Sequence, residues 1–251
     1  MLRLALLLWL AALPLRAEEV VLGLSQDRVA ITATFEGSDI LIFGAVKREA
    51  PIPDIPLDVV ITVAGPSLPV SVRRKERVLG IWVNTDTVAL ESAPTFYAVA
   101  TSGPLDQVLS NTEDLRHRVS IPRAIRSVGA ASMAEDVESF TDALIRIRER
   151  TNAYQLLENS VALDEQTLFR TAISLPANLT EGAYQTRIFL TREGRVVAQL
   201  KTVIDVHKVG LERWLYALSR QQPLLYGLMS IAIAIAAGWG ASAAFQVLRR
   251  G

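Results

Sequence analysis

The chain has 251 residues, half of them apolar, and its 26 basic side chains balance 26 acidic ones. That length can bury a substantial core, and the zero net charge excludes general electrostatic attraction to nucleic acid. Cysteine is absent, which excludes disulfides, thiolate nucleophiles and zinc–sulfur sites, and two histidines, His117 and His207, are too few for a histidine metal site without carboxylates.

Residues 1–17 carry the pattern of a secretory leader. Arg3 supplies the positive start, residues 4–13 form an apolar run, and Pro14 breaks it before Leu15, Arg16 and Ala17. The run is too short to cross a bilayer, so cleavage after Ala17 is expected, with an uncleaved anchor as the alternative.

From residue 19 to 102, short β runs alternate with turn chemistry. Residues 28–35 set Val29, Ile31, Ala33 and Phe35 against Arg28, Ala30, Thr32 and Thr34. Further runs follow at 39–46, 57–63, 78–84, 87–91 and 95–100, punctuated by Gly37-Ser38, the prolines of 51–56, and Gly65-Pro66. Strands this closely spaced predict an antiparallel sandwich or barrel, not a βαβ sheet.

The period then changes. A short helix is expected at 104–111, and the basic stretch 116–126 reads as irregular or partly helical. Ser132 and Glu135 fit a capping box, and Met133, Val137, Phe140, Leu144 and Ile147 form one apolar stripe, predicting a helix over 133–156. Strand patterns return at 167–175, 183–191 and 196–206, the last two joined by a turn at Arg192-Glu193-Gly194-Arg195. The fold class is therefore mainly β. We expect an immunoglobulin-like antiparallel sandwich over 18–207 with a helical insertion at about 104–157; two small β domains bridged by that insertion are the alternative.

Near the C-terminus, Leu211, Trp214, Leu215 and Leu218 make an amphipathic stripe. Residues 208–222 suit a helix lying at lipid headgroups with Trp214 and Tyr216 as anchors, or simply the start of one long helix. No charge occurs between Arg220 and Arg249. Some 24 residues at about 1.5 Å each reach roughly 36 Å, enough for a hydrocarbon core of about 30 Å, so 223–248 reads as a transmembrane helix. Arg249 and Arg250 then form a cytoplasmic tail of correct sign, while Lys208, Arg213 and Arg220 lie on the other side; orientation rests on the leader.

Two groups of residues are candidate sites. Arg73, Arg74, Lys75 and Arg77, with nearby Trp82, suit phosphate headgroups, an anionic ligand or an acidic partner. The plainer alternative is a solvated β-turn whose charges keep a sheet edge soluble. Within the membrane segment Ser230, Ala234, Gly238 and Ser242 recur every four residues, a face on which two helices can approach closely. The span holds no charge, which argues against an ion path. Serine-hydrolase, nucleotide-binding and metalloprotease motifs are all missing. The adjacent carboxylates Glu113 and Asp114, and Asp136 and Glu138, read as solvated helix faces.

Phe43-Gly44-Ala45, Ala64-Gly65-Pro66, Val72-Arg73-Arg74-Lys75, Gly80-Ile81-Trp82-Val83-Asn84 and Ala93-Pro94-Thr95-Phe96-Tyr97 form a set with Leu168-Phe169-Arg170, Leu175-Pro176, Gly182-Ala183-Tyr184, Tyr226-Gly227 and Gly238-Trp239. By these segments the chain resembles the alphaproteobacterial putative transmembrane proteins, a family without an assigned function. The resemblance implies a Gram-negative inner-membrane protein with a periplasmic domain, and it brings no catalytic residues. The expectation is a non-catalytic, single-pass protein without cofactor or nucleic-acid partner. Its expected partners are the lipid bilayer and a membrane or periplasmic protein, or a second copy through the membrane helix. A membrane-anchored periplasmic hydrolase or small anionic-ligand binder is the alternative.

Overall fold

The computed structural model describes residues 19–25, 28–31, 36–48, 51–53, 55–127, 137–208 and 211–250. The leader, the second half of the 28–35 run, the capping box at Ser132 and Glu135, and the Trp214 side chain lie outside the described residues.

The chain is mainly β. Its strands are β1 (Glu19–Leu24), β2 (Arg28–Ile31), β3 (Ser38–Lys47), β4 (Asp58–Ala64), β5 (Ser67–Val78), β6 (Ile81–Pro94), β7 (Tyr97–Thr101), β8 (Tyr154–Leu157), β9 (Ala162–Asp164), β10 (Leu168–Leu175), β11 (Gly182–Arg192) and β12 (Arg195–Lys208). Helices α1 (Leu105–Val108), α2 (Asn111–His117), α3 (Ile121–Ala124) and α4 (Val137–Arg150) fall between β7 and β8, and α5 (Leu211–Gln221) and α6 (Pro223–Arg250) close the chain. One sheet runs β1-β3-β10-β9, a second runs β2-β12-β11-β4-β7-β8, and β5 with β6 form a separate hairpin.

Side-chain period explains the burial. β10 alternates cleanly, with Phe169, Thr171, Ile173 and Leu175 inside and their neighbours exposed. β4, by contrast, is buried from Val59 through Val63, which requires cover on both faces. Helices α1 to α4 and the base of the β5–β6 hairpin supply one cover, packing Val108, Leu109, Ile121, Phe140 and Leu144 against Val60, Tyr97, Val99 and Phe189. β10 runs beside β7. Gly44 is fixed by this packing, because a Cβ there would lie 2.4 Å from the Phe169 ring.

Two expectations need correction. The sheets are not wholly antiparallel: β7 and β8 run parallel, with Tyr97 opposite Tyr154. Parallel neighbours need a long crossover, and residues 102–153 provide it. The predicted insertion is thus the connection that lets β8 join the sheet. The helix expected over 133–156 also stops early, at Arg150. Asn152 turns the backbone at φ 54°, and the Tyr154 side chain drops into the core, its hydroxyl donating to the Pro94 carbonyl at 2.8 Å. Burying that ring stabilises more than one further exposed turn of helix; Ile147, from the predicted stripe, is already 54% exposed.

Two polar centres hold the helices. The Asp114 carboxylate accepts from the Val119 and Ser120 amides, the Ser120 hydroxyl and Arg123 Nε, tying α2 to α3. Arg187, on β11, donates from Nη1 to the His117 carbonyl, from Nη2 to the Arg118 carbonyl and Tyr97 Oη, and from Nε to Thr62 Oγ1. A cation at these carbonyls also matches the negative end of α2.

Burial pushes the Tyr154 hydroxyl up to about 12. The folded protein therefore keeps it neutral where the unfolded chain, near 10, ionises. Its stabilisation is complete below pH 10 and is lost as pH rises through 10 to 12, by about 3 kcal/mol for a two-unit difference. Denaturant unfolding across that window should show the decline, and Tyr154→Phe should flatten its slope.

Helices α5 and α6 belong to a compact unit separate from the β-rich body. Pro223 starts α6, where its missing amide costs nothing. Along α6, Pro223–Ser242 is long and apolar enough to cross a membrane, and none of it is buried. The Ser230 hydroxyl donates to the Tyr226 carbonyl at 2.9 Å, so this polar atom has a partner within the helix itself.

Candidate functional site: an exposed hairpin arm

The basic run lies on the β5–β6 hairpin, which pairs from Ser67 opposite Pro94 to Val78 opposite Ile81. Its base is anchored by Val72, Val88 and Leu90, all buried in the helix-side core. Beyond Val72 burial stops, and every residue from 73 to 87 is exposed. At about 3.3 Å per residue, six strand residues carry the apex roughly 20 Å past Val72. The two-residue connection is Leu79 at φ 50° and Gly80 at φ 88°, the pair of positive angles a type I′ turn requires.

Strand alternation sorts the predicted residues. Arg74 faces α4: its Nη2 donates to Ser139 Oγ at 2.8 Å, its guanidinium lies 4.6 Å from the Phe140 ring centre, and Nη1 is 4.0 Å from Asp86. Arg73, Lys75 and Arg77 take the other face, in steps of about 7 Å. Opposite them stand Thr87, Asn84 and Trp82, so no carboxylate lies across the strand from any of the three. Among the described residues, none of them makes an ion pair; Arg77 Nε donates weakly to the Gly80 carbonyl at 3.4 Å. Three of the four predicted cations therefore form a row with Trp82 at its end, and the fourth is taken up by the body.

The basic run is not the turn that the plainer reading supposed. The turn comes two residues later, and the cations sit within a continuous strand. Sequence reasoning missed the apex: Leu79 is 98% exposed, Ile81 68% and Trp82 66%, with Val78 and Val83 beside them. The available signal was Gly80, free to take the positive φ of a tight turn, just ahead of the β-branched run that starts at Ile81. A cleft of about 430 Å³ opens where the hairpin base meets α4, and Val72, Arg73, Arg74, Phe140, Asp142 and Arg146 are among the residues that line it. Ser230, Ala234, Gly238 and Ser242 lie along α6, exposed, and a Cβ on Gly238 would meet nothing within 4 Å.

Among the described residues, a β-rich body is followed by one helix that is long and apolar enough to cross a membrane, the combination that a membrane-tethered domain requires. The chain belongs to the family described as "Putative transmembrane protein (Alph_Pro_TM)", whose model matches residues 19–247. No curated protein matches the sequence.

Proposed function

We propose that this protein is a non-catalytic, single-pass protein of the bacterial inner membrane. Its β-rich body stands in the periplasm and its C-terminus in the cytoplasm, and it works by binding an anionic partner or supporting a membrane assembly. The four- and six-stranded sheets form an immunoglobulin-like sandwich in this reading, and the arm is its binding element. One observation carries the proposal: fifteen consecutive residues, 73–87, are exposed although they include Trp82, Ile81 and Leu79. Folding gains little from such an arm, because its distal part buries nothing. Edge protection accounts for the cations but not for the apolar apex. The alternative, a hydrolase or small anionic-ligand binder, would use the cleft beside α4. Among the described residues, Asp142 is the one carboxylate lining it, beside the cations Arg73, Arg74 and Arg146.

The sequence has no cysteine, so Leu79→Cys introduces a unique thiol at the apex. In native membranes opened by freeze–thaw, this thiol should react several-fold more slowly with a hydrophilic maleimide than Gln199→Cys, an exposed position on β12. The two should become equal once detergent dissolves the membrane. Equal rates before detergent would defeat the proposal.

A further inference from the structure

The arm's cations and its apolar apex are arranged in depth, and that order selects among partners. We infer that the arm docks on an anionic lipid leaflet: Leu79, Ile81 and Trp82 enter the headgroup–acyl boundary, and Arg73, Lys75 and Arg77 hold lipid phosphates behind them. The inference rests on the arm being the binding element, and names its partner.

Four observations carry it. First, the apolar residues occupy the end of the arm, and the cation row starts at Arg77, beside Trp82, and recedes toward the body through Lys75 and Arg73. A leaflet has the same sequence of environments, apolar below and phosphate above, over a buried depth of about 5–10 Å. An acidic protein surface would answer the cations and leave the apex in water.

Second, the row carries no internal compensation. The cross-strand residues Thr87, Asn84 and Trp82 are uncharged, and the carboxylates of the arm, Glu76 and Asp86, belong to the opposite face. Like charges about 7 Å apart repel, and a sheet of phosphates removes that repulsion while gaining from each cation.

Third, Leu79 stands at φ 50°, a conformation that favours glycine or asparagine. Leucine there is unfavourable twice, for its backbone and for its side chain, which is 98% exposed and so gains nothing from the fold. An apolar medium outside the fold rewards it. Trp82 fits the same medium, since tryptophan favours the boundary between acyl chains and headgroups.

Fourth, a bilayer is the one partner that this chain brings with it. Its α6 segment Pro223–Ser242 is fit to cross a membrane, and covalent linkage turns a weak docking contact into an intramolecular one.

The test uses the full chain carrying Leu79→Cys labelled with an environment-sensitive nitrobenzoxadiazole dye. It is reconstituted in nanodiscs of phosphatidylcholine alone, or of equal parts phosphatidylcholine and phosphatidylglycerol. Nitroxide-bearing phospholipid is placed first in the disc and, separately, in added protein-free vesicles of the same two compositions. The expected result is a blue-shifted dye, quenched by nitroxide in one of the two locations, with phosphatidylglycerol present. The location tells whether the arm docks on its own membrane or on a facing one. Arg77→Gln should lower the docked-to-free ratio about fivefold, Lys75→Gln and Arg73→Gln, about 7 and 13 Å further from the apex, progressively less, and the triple variant more than any single one. The triple variant leaves the core residues untouched, and an unchanged unfolding midpoint will show that the fold is intact.

Absence of quenching from both locations overturns the inference. So does quenching that is equal in the two lipid compositions, since the cations would then do nothing. A blue shift without quenching that grows with protein concentration would assign the apex to a second copy and overturn it as well. Should Leu79→Cys be shielded in native membranes yet unquenched in the pure bilayers, the binding arm stands and its partner is a protein. If it is unshielded in native membranes too, both readings fall.

Discussion

Phe189→Ala is expected to lower the unfolding free energy by about 3–5 kcal/mol, whereas Trp82→Ala should change it by less than about 0.5 kcal/mol. The two substitutions remove aromatic rings from opposite situations. Phe189 is fully buried on β11, 5.3 Å from the His117 ring and 5.4 Å from the Arg187 guanidinium, within the cluster that joins the six-stranded sheet to α1–α4. Deleting it leaves a cavity whose walls belong to several elements and so relax only partly. Trp82 is 66% exposed, on an arm whose distal residues bury no side chain. Chemical denaturation of the detergent-solubilised full chain, followed by circular dichroism, measures both. Comparable losses would mean that the arm is part of the packed body, and its role as a binding element would be gone. For a domain with the usual stability of about 5–15 kcal/mol, the Phe189 variant should still fold.

Arg187→Met should cost about 2–4 kcal/mol, and Arg187→Lys should recover only part of it. Methionine keeps the apolar stem but removes every donor, leaving the His117 and Arg118 carbonyls and Tyr97 Oη without the groups that now satisfy them. Lysine restores the charge at the end of α2, yet its single ammonium cannot reproduce a planar fork that reaches three elements. Tyr97 sharpens the expectation, because its hydroxyl also donates to the Val119 carbonyl at 2.8 Å, so a loosened Tyr97 frees the chain between α2 and α3. Amide hydrogen exchange should therefore rise first around residues 117–120 in the methionine variant. Uniformly faster exchange across the whole body would show that Arg187 acts on global stability and not on this junction.

Much of the architecture was legible locally. The runs at 39–46, 57–63, 167–175, 183–191 and 196–206 all appear as strands, because alternation and β-branched content report on a face that must be buried. The Glu193-Gly194 turn appears where expected, with both residues at positive φ. What failed were segments whose conformation depends on distant partners. Residues 67–78 were not read as one strand, since a charged stretch has no apolar alternation to reveal it; pairing with β6 creates it. Residues 154–156 fell inside the helix expected over 133–156, although its apolar stripe ended at Ile147, and only the parallel seat beside β7 makes them strand. Of the candidate site, the cations and Trp82 were visible as a cluster, but the division between Arg74 and the other three was not.

The letters alone determined the alternation of strand and helix, the uncharged segment long enough to span a bilayer, the lack of any thiol and the presence of a cationic cluster. These follow from residue type and period within a short window. The tertiary structure decided which cations turn outward, that Leu79 crowns an arm in water, and that Arg187 reaches groups 69 to 125 residues away. The physical reason is that exposure and hydrogen-bond partners are properties of what the fold sets beside a residue, and pairing across such distances leaves no local trace.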